Sequence, residues 1–389
     1  MGTLRFLLAL SVLIVHSSPI LGIQLLPGPV AVRAFYIISG FLISMVITQK
    51  YQNLDRPYYY FISNRFLRLY PLYITVVIMT VILSTVYGLI LGDWGKLQYY
   101  FNYYQASPQS LETLCVVMLT NITLLGQDLM TFVGIDPNTG RFFFHKMQDW
   151  PELQELLFIP IAWTVAVEFY FYLVAPFFVS KKVKTIICLI ILVLIFRYWL
   201  YVSGAAPNAF AIYRFAPTEI YWFLLGVLSY RLKFPAFITT KKAAYVYMVV
   251  FLLLMLTYNH WAALGDSWKN VLVYTLTFIS LPSLFAHFAK NKLDKFLGDL
   301  CYPVYLLHAF VLLIVAANSF PKTYGTGFPT FILTITFSIL LNKYLLVPIE
   351  KWRQLRIKSN NVSFRDKLKM VFNREKESKP TGPYDQDRM

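Results

Sequence analysis

The stretch LRFLLALSVLIVHS, residues 4–17, is the first of about ten greasy segments in this chain, and it carries an arginine and a histidine within it. Arg5 and His16 lie 11 positions apart (16 − 5). At ~100° and ~1.5 Å per residue that is about three turns, so both side chains fall on one helix face about 16 Å apart. Ionisable groups inside a membrane helix are costly and persist mostly where they pair or work.

A spanning helix needs about 20 mostly apolar residues. That criterion predicts an all-α, polytopic integral membrane protein of about ten transmembrane helices. The spans fall near 4–21, 30–48, 70–91, 156–179, 184–202, 216–231, 244–260, 269–288, 299–319 and 328–348. The stretch 111–126 is apolar but interrupted by Thr and Asn, which suits an amphipathic or re-entrant helix rather than a span. Composition agrees. Of 389 residues 58% are hydrophobic and only 14% charged, against about 25% charged in a soluble domain. A net charge of +16 would suggest a nucleic-acid partner in a soluble protein. Here the positive-inside rule accounts for it, and membrane lipid rather than nucleic acid is the expected surrounding. The first stretch lacks a small-residue cleavage site and reads as a retained helix rather than a signal peptide. Cys115, Cys188 and Cys301 form neither a metal pattern nor an even disulfide set and read as structural.

The connections sort by charge. Lys50, Arg56, Arg65 and Arg68 fall on one side with Lys181, Lys182 and Lys184, then Arg231, Lys233, Lys241 and Lys242, then Lys290, Lys292 and Lys295. The tail after Glu350, with Lys351, Arg353, Arg356 and Lys358, joins them. The opposite connections are poor in basic residues. The alternation places both termini in the cytoplasm of an inner (plasma) membrane protein. The domain plan is a membrane domain over 1–350, with a long extracytoplasmic loop at 92–155, and a basic tail over 351–389 that reads as disordered. The loop carries a run of aromatics at 99–104 and a turn at 136–140. A loop of that length is uncommon unless it is functional or disordered, and its plain reading is a structured lid. Its aromatic and acidic residues suit sugar binding, and equally an interfacial belt.

His16 is the first chemical candidate. Its plain reading is a neutral hydrogen-bond partner between helices. Its sharper reading is a general base or acyl acceptor. Arg65 and Arg68, three apart, share one side of a turn just before the third span, and Arg5 joins them at the same mouth. Three guanidinium groups there suit a polyphosphate, although topological anchoring explains them as well. Glu168 is the only carboxylate near the middle of a span. It falls at the depth of His16 and His308, and either orients His16 or pairs with an arginine such as Arg33 or Arg197. Gly40 and Ser44, four apart, form a small-residue packing face. His145, His260 and His287 read as bystanders.

Together these pieces resemble the membrane acyltransferase-3 family over 5–352. The resemblance rests on five segments in order. They are Arg5-x10-His16; residues 35–43 with their Ser39-Gly40-Phe41-Leu42; Arg65-x-x-Arg68 with Tyr70-Pro71; Trp163 to Glu168 followed by Phe171-Tyr172 and Pro176; and Leu297-Gly298 through Tyr302, Tyr305 and His308. The chain departs from the family pattern in having Thr164-Val165 after Trp163, Phe169 after Glu168, and Arg33 where an acidic residue is common. The resemblance implies an O-acyltransferase, usually an O-acetyltransferase. It implies acyl-CoA (acetyl-CoA above all) as donor substrate and no bound cofactor, with a hydroxyl of a surface or lipid-linked glycan as acceptor. His16 and Glu168 would be catalytic; Arg5, Arg65 and Arg68 would hold the donor. The rival reading is a transporter or flippase of a lipid-linked glycan, which would show repeat symmetry that the sequence lacks. The sequence leaves the sugar, the acyl chain and the oligomeric state open.

Overall fold

A computed structural model describes residues 1–106, 110–136, 138–144, 153–206, 209–261, 265–318 and 325–360. The chain is almost entirely helical. In order the helices are α1 Gly2–His16, α2 Gly28–Val46, α3 Pro57–Leu91, α4 Leu97–Ala106, α5 Leu111–Thr123, α6 Trp163–Phe178 and α7 Val183–Ser203. They continue with α8 Ala209–Arg214, α9 Ala216–Arg231, α10 Lys241–Thr257, α11 Asp266–Phe288, α12 Lys292–Ala317, α13 Gly327–Leu341 and α14 Val347–Asn360. Each of the ten expected spans is met by one helix. Among the described residues, eight helical segments are long and apolar enough to cross a membrane. The other two, α1 and α9, have 15 and 16 residues. At ~1.5 Å per residue α1 rises only about 22 Å, short of the ~30 Å hydrocarbon layer. Both are sheathed by longer helices, α1 by α12 and α9 by α2 and α7, so neither has to satisfy the lipid on its own.

Close backbone approach sets those pairs. A Cβ at Gly40 would sit 2.0 Å from the Phe223 carbonyl oxygen, and one at Gly226 would sit 2.0 Å from that of Ile37. The α2–α9 contact is therefore glycine against backbone from both sides. This is the small-residue packing expected of Gly40, with Ser44 fully buried a turn away. The α1–α12 pair repeats the device: a Cβ on Gly2 would meet the Asp294 carbonyl oxygen at 1.8 Å. The Asp294 carboxylate also accepts from the Gly2 and Thr3 amides, each at 2.9 Å. It caps α1 from a neighbouring helix and fixes the turn that carries Arg5.

The basic connections gather at one end of the bundle. Arg231 donates to the Lys181 carbonyl at 3.3 Å, Ser283 to that of Thr240 at 3.0 Å, and Arg356 to the Ser63 hydroxyl at 3.2 Å. The C-terminal helix runs to Asn360, into the stretch expected to be disordered. The remainder of that tail lies outside the described residues, as do Pro137 and His145.

At the opposite, far end the long loop folds into a cap. It contains α4, α5 and a small hairpin, β1 Val133–Ile135 with β2 Phe142–Phe144. Its own core includes Tyr103, Val117, Met130, Ile135, Leu153 and Leu157. Asn121 is the hub: its amide donates to the Leu156 carbonyl at 3.0 Å and the Tyr100 hydroxyl at 3.1 Å, and its oxygen accepts from the Phe158 amide at 2.9 Å. Tyr100 and Tyr103 turn inward, donating to the carbonyls of Leu156 and Gly140 at 2.5 and 2.9 Å. Tyr99, Phe101 and Tyr104 stay exposed. Two of the aromatics expected to suit sugar stacking thus hold the cap together.

Glu219, on the first turn of α9, is completely buried. It receives Arg33 Nε at 3.3 Å and Arg197 Nη1 at 2.5 Å. Removing one partner from a buried ion pair costs about 3–5 kcal/mol. Glu219→Gln should therefore lower the thermal midpoint of the detergent-solubilised protein and reduce its accumulation in membranes. An unchanged midpoint would show that the two guanidiniums do not depend on this carboxylate.

Candidate active site

The site is built on four helices. From α1 come Arg5 and His16, from α3 Arg65 and Arg68, from α6 Thr164 and Glu168, and from α12 Tyr302, Tyr305 and His308. On α12 the last three recur every third residue, which keeps them near one face. A cavity of about 330 Å³ enters at the basic end beside Gly2 and Asp294, passes Arg5 and Ala9, and stops at Val12, Thr164 and Tyr305.

Arg5, Arg65, Arg68 and Glu168 all line this cavity. The Arg5 guanidinium sits 5.0 Å from the Phe35 ring centroid. Arg65 is only 5% exposed. It lies 5.4 Å from the ring centroid of Phe61 and 5.6 Å from that of Tyr172, and its Nε has no hydrogen-bond partner. A guanidinium held against aromatic faces, with donor capacity unused, is poised for an anion. None of these three arginines forms an ion pair with a carboxylate among the described residues. The three positions that the spacing placed at one mouth do converge there.

Glu168 departs from both of its expected roles. One of its oxygens, Oε1, accepts from Ser39 and from Tyr172, both at 2.5 Å. It does not hold Arg33 or Arg197, which belong to Glu219. It does not reach His16 either. Thr164, one turn earlier on α6, donates to the Tyr305 hydroxyl at 2.7 Å, and Tyr305 donates on to the Ile161 carbonyl at 3.1 Å. That layer stands between Glu168 and the histidine. Sequence reasoning passed over Glu219 because it lies near the end of a short span. Two arginines inside neighbouring spans were the signal that a second buried carboxylate was owed.

His16 is the last residue of α1 rather than a mid-helix residue. The chain turns immediately afterwards, with Leu21 and Gly22 at positive φ. The imidazole is exposed at the rim of the helices and does not line the cavity. The face it shares with Arg5 is lined by cavity only as far as Val12. The buried imidazole is that of His308, which is fully enclosed. The two rings stack with centroids 5.2 Å apart, and His308 Nε2 lies 3.2 Å from His16 Nδ1. Tyr305 meets His308 edge-on at 5.9 Å. The cavity and His16 are thus joined through two side chains, Tyr305 and His308, and not by open space.

His16 Nδ1 is also 3.0 Å from the Val12 carbonyl oxygen. A carbonyl can only accept, so the neutral ring carries its proton on Nδ1 and leaves Nε2 as a free basic nitrogen. That is the tautomer a general base needs. Beyond it, on the far side, Arg214 accepts support from Gln154, donating Nη1 to Oε1 at 2.5 Å, with its guanidinium 5.5 Å from the Trp163 ring centroid. His287 donates to or accepts from no catalytic group; its ring nitrogen meets the Thr239 carbonyl at 2.9 Å.

Comparisons with curated proteins and with solved structures each give no match. The model of the acyltransferase-3 family, described as an acyltransferase domain, matches residues 2–343. That span covers most of the chain, including Arg5, His16, Arg65, Arg68, Glu168, Tyr305 and His308, so the chain belongs to the acyltransferase-3 family and is a membrane acyltransferase.

Proposed function

We propose that this protein transfers an acyl group, acetyl in the first instance, from acyl-CoA at the basic end of the bundle to a hydroxyl of a surface or lipid-linked glycan at the far end. The observation that carries the reading is the cavity lined by Arg5, Arg65 and Arg68, none of which forms an ion pair with a carboxylate among the described residues, beside the helix that ends in His16. The basic end is the cytoplasmic one by the positive-inside rule, and the membrane is the inner (plasma) membrane. Arg5, Arg65 and Arg68 hold phosphate oxygens of the donor, since guanidinium groups bind phosphate bidentately. The pantetheine arm follows α1 toward Val12. For the thioester to reach His16, the Tyr305 hydroxyl leaves Thr164 and Ile161 and its ring swings aside.

His16 Nε2 then takes the proton of the acceptor hydroxyl as that oxygen attacks the thioester carbonyl. The C–O bond forms, the C–S bond breaks, and the thiolate recovers a proton from the imidazolium. His308 lies against the ring that becomes charged and sets its orientation. Glu168, held by Ser39 and Tyr172, works on the donor side as a fixed negative group among the arginines rather than as the orienter of His16. Holding both substrates against one ring supplies a large part of such a rate.

His16→Gln should lower acyl transfer by about 10²–10⁴-fold, the usual contribution of a general base, with the protein still inserted and accumulated. Mass spectrometry of cell-surface glycans with and without the variant reads this directly, and full acylation by His16→Gln would remove the residue from the mechanism. Arg65→Ala combined with Arg68→Ala should raise the KM for acyl-CoA by about 10–100-fold, from the ~1.5–3 kcal/mol that a charge-assisted hydrogen bond contributes, while the acceptor KM stays near its original value. An equal rise in both constants would assign the pair to structure.

A further inference from the structure

A cavity of about 330 Å³ is at the small end of ligand sites, which run to ~300–1,000 Å³. It suits an acyl-pantetheine arm. An acyl-CoA also carries a pyrophosphate and a 3′-phosphorylated nucleoside, and these need room elsewhere. A second cavity of about 370 Å³ adjoins the first at the basic end. The two share Arg68, Lys295, Gly298, Asp299 and Tyr302 as a common wall.

The opposite wall of the second cavity comes from the C-terminal helix. Asn342 and Leu346 lie on a π-helical turn, Asn342–Leu346, that offsets α14 from α13. Glu350, Lys351 and Arg353 follow on α14 itself. Arg356 anchors this helix to α3 through the Ser63 hydroxyl. Arg353 is only 7% exposed. Its Nη1 pairs with Glu350, and its Nε has no partner. The lining holds four basic side chains (Arg68, Lys295, Lys351, Arg353) against two acidic ones (Asp299, Glu350), a surplus of 4 − 2 = 2 positive charges. The family match ends at residue 343, so apart from Asn342 this wall lies beyond it.

We propose that the second cavity receives the nucleotide phosphates of acyl-CoA and that Arg353 is a donor-binding residue supplied by α14. The inference rests on the acyl-CoA reading above. Arg68, facing both cavities, bridges the two halves of the donor. The phosphate of an anionic lipid headgroup shares this chemistry. The common wall with the acyl-pantetheine cavity favours the nucleotide, because one molecule then fills both spaces.

The test uses the full chain in nanodiscs of zwitterionic lipid, with acetyl-CoA and S-acetyl-pantetheine as probes. Arg353→Ala should weaken acetyl-CoA binding about 10-fold or more and leave S-acetyl-pantetheine binding unchanged. Arg353→Lys should keep most of the affinity. Equal loss for both probes would make Arg353 a packing residue of α14 and overturn the proposal. So would unchanged acetyl-CoA affinity in Arg353→Ala together with a loss of bound phosphatidylglycerol when that lipid is added. If the unmodified protein binds neither probe, the acyl-CoA reading itself fails and takes this site with it, an outcome visible before any substitution is made.

Discussion

A guanidinium inside a membrane bundle needs a carboxylate, an aromatic face or a ligand, because lipid offers it nothing. The arginines of this chain divide on that requirement. Toward the far end the need is met internally. Arg33 and Arg197 share the buried Glu219, and Arg214 rests on Trp163 and Gln154. The countercharge of Arg33, on α2, arrives from α9. Toward the basic end the need is left open. Arg5 and Arg65 have rings beneath them but no ion pair, and Arg65 and Arg353 keep an unpartnered Nε. Arg5 and Arg65 line the first of the two connected cavities and Arg353 lines the second. On the proposed function a phosphate-bearing donor would complete what the fold leaves incomplete at the basic end, while the far-end arginines hold the bundle together.

Much of this organisation was legible from spacing. The ten helices fall where twenty-residue apolar windows put them, and the pair Arg65 and Arg68 converges with Arg5 because a three-residue step and a shared mouth are local facts of helix geometry. What spacing does not contain is partner choice between helices. Spacing offered Glu168 to Arg33 and Arg197, and Glu219 takes both. Which carboxylate meets Arg33 depends on the glycine contacts of Gly40 and Gly226 that bring α2 against α9. The same limit applies to His16. Spacing placed it near mid-membrane on the face of Arg5, but α1 ends at that very residue, which follows from the turn at Leu21 and Gly22 and from the docking of Gly327 on Ser18. A periodic pattern continuing past Ser17 gives no sign of either. Arg353 was readable only as one more positive charge beside the membrane, because its burial depends on α14 returning over α3.

Tyr305 stands between the cavity and the two histidines. Its hydroxyl is bonded to Thr164 and Ile161 on α6, while its ring lies against His308. On the proposed function this layer would hold a thioester in the cavity apart from His16 until Tyr305 moves. The geometry also explains why one helix pair carries so many functional groups. Arg5 and His16 lie on α1, and Tyr302, Tyr305 and His308 lie on α12. The two helices are locked at the basic end by the Gly2–Gly298 approach and by Asp294 capping the first turn of α1. At the far end they are joined by the stacked histidines and not by another glycine contact. On the proposed function, a tilt of α12 about that locked end would move Tyr305 and His308 together and leave Arg5 in place. Opening the barrier and repositioning the ring beside His16 would then be one motion, because both side chains ride on one helix.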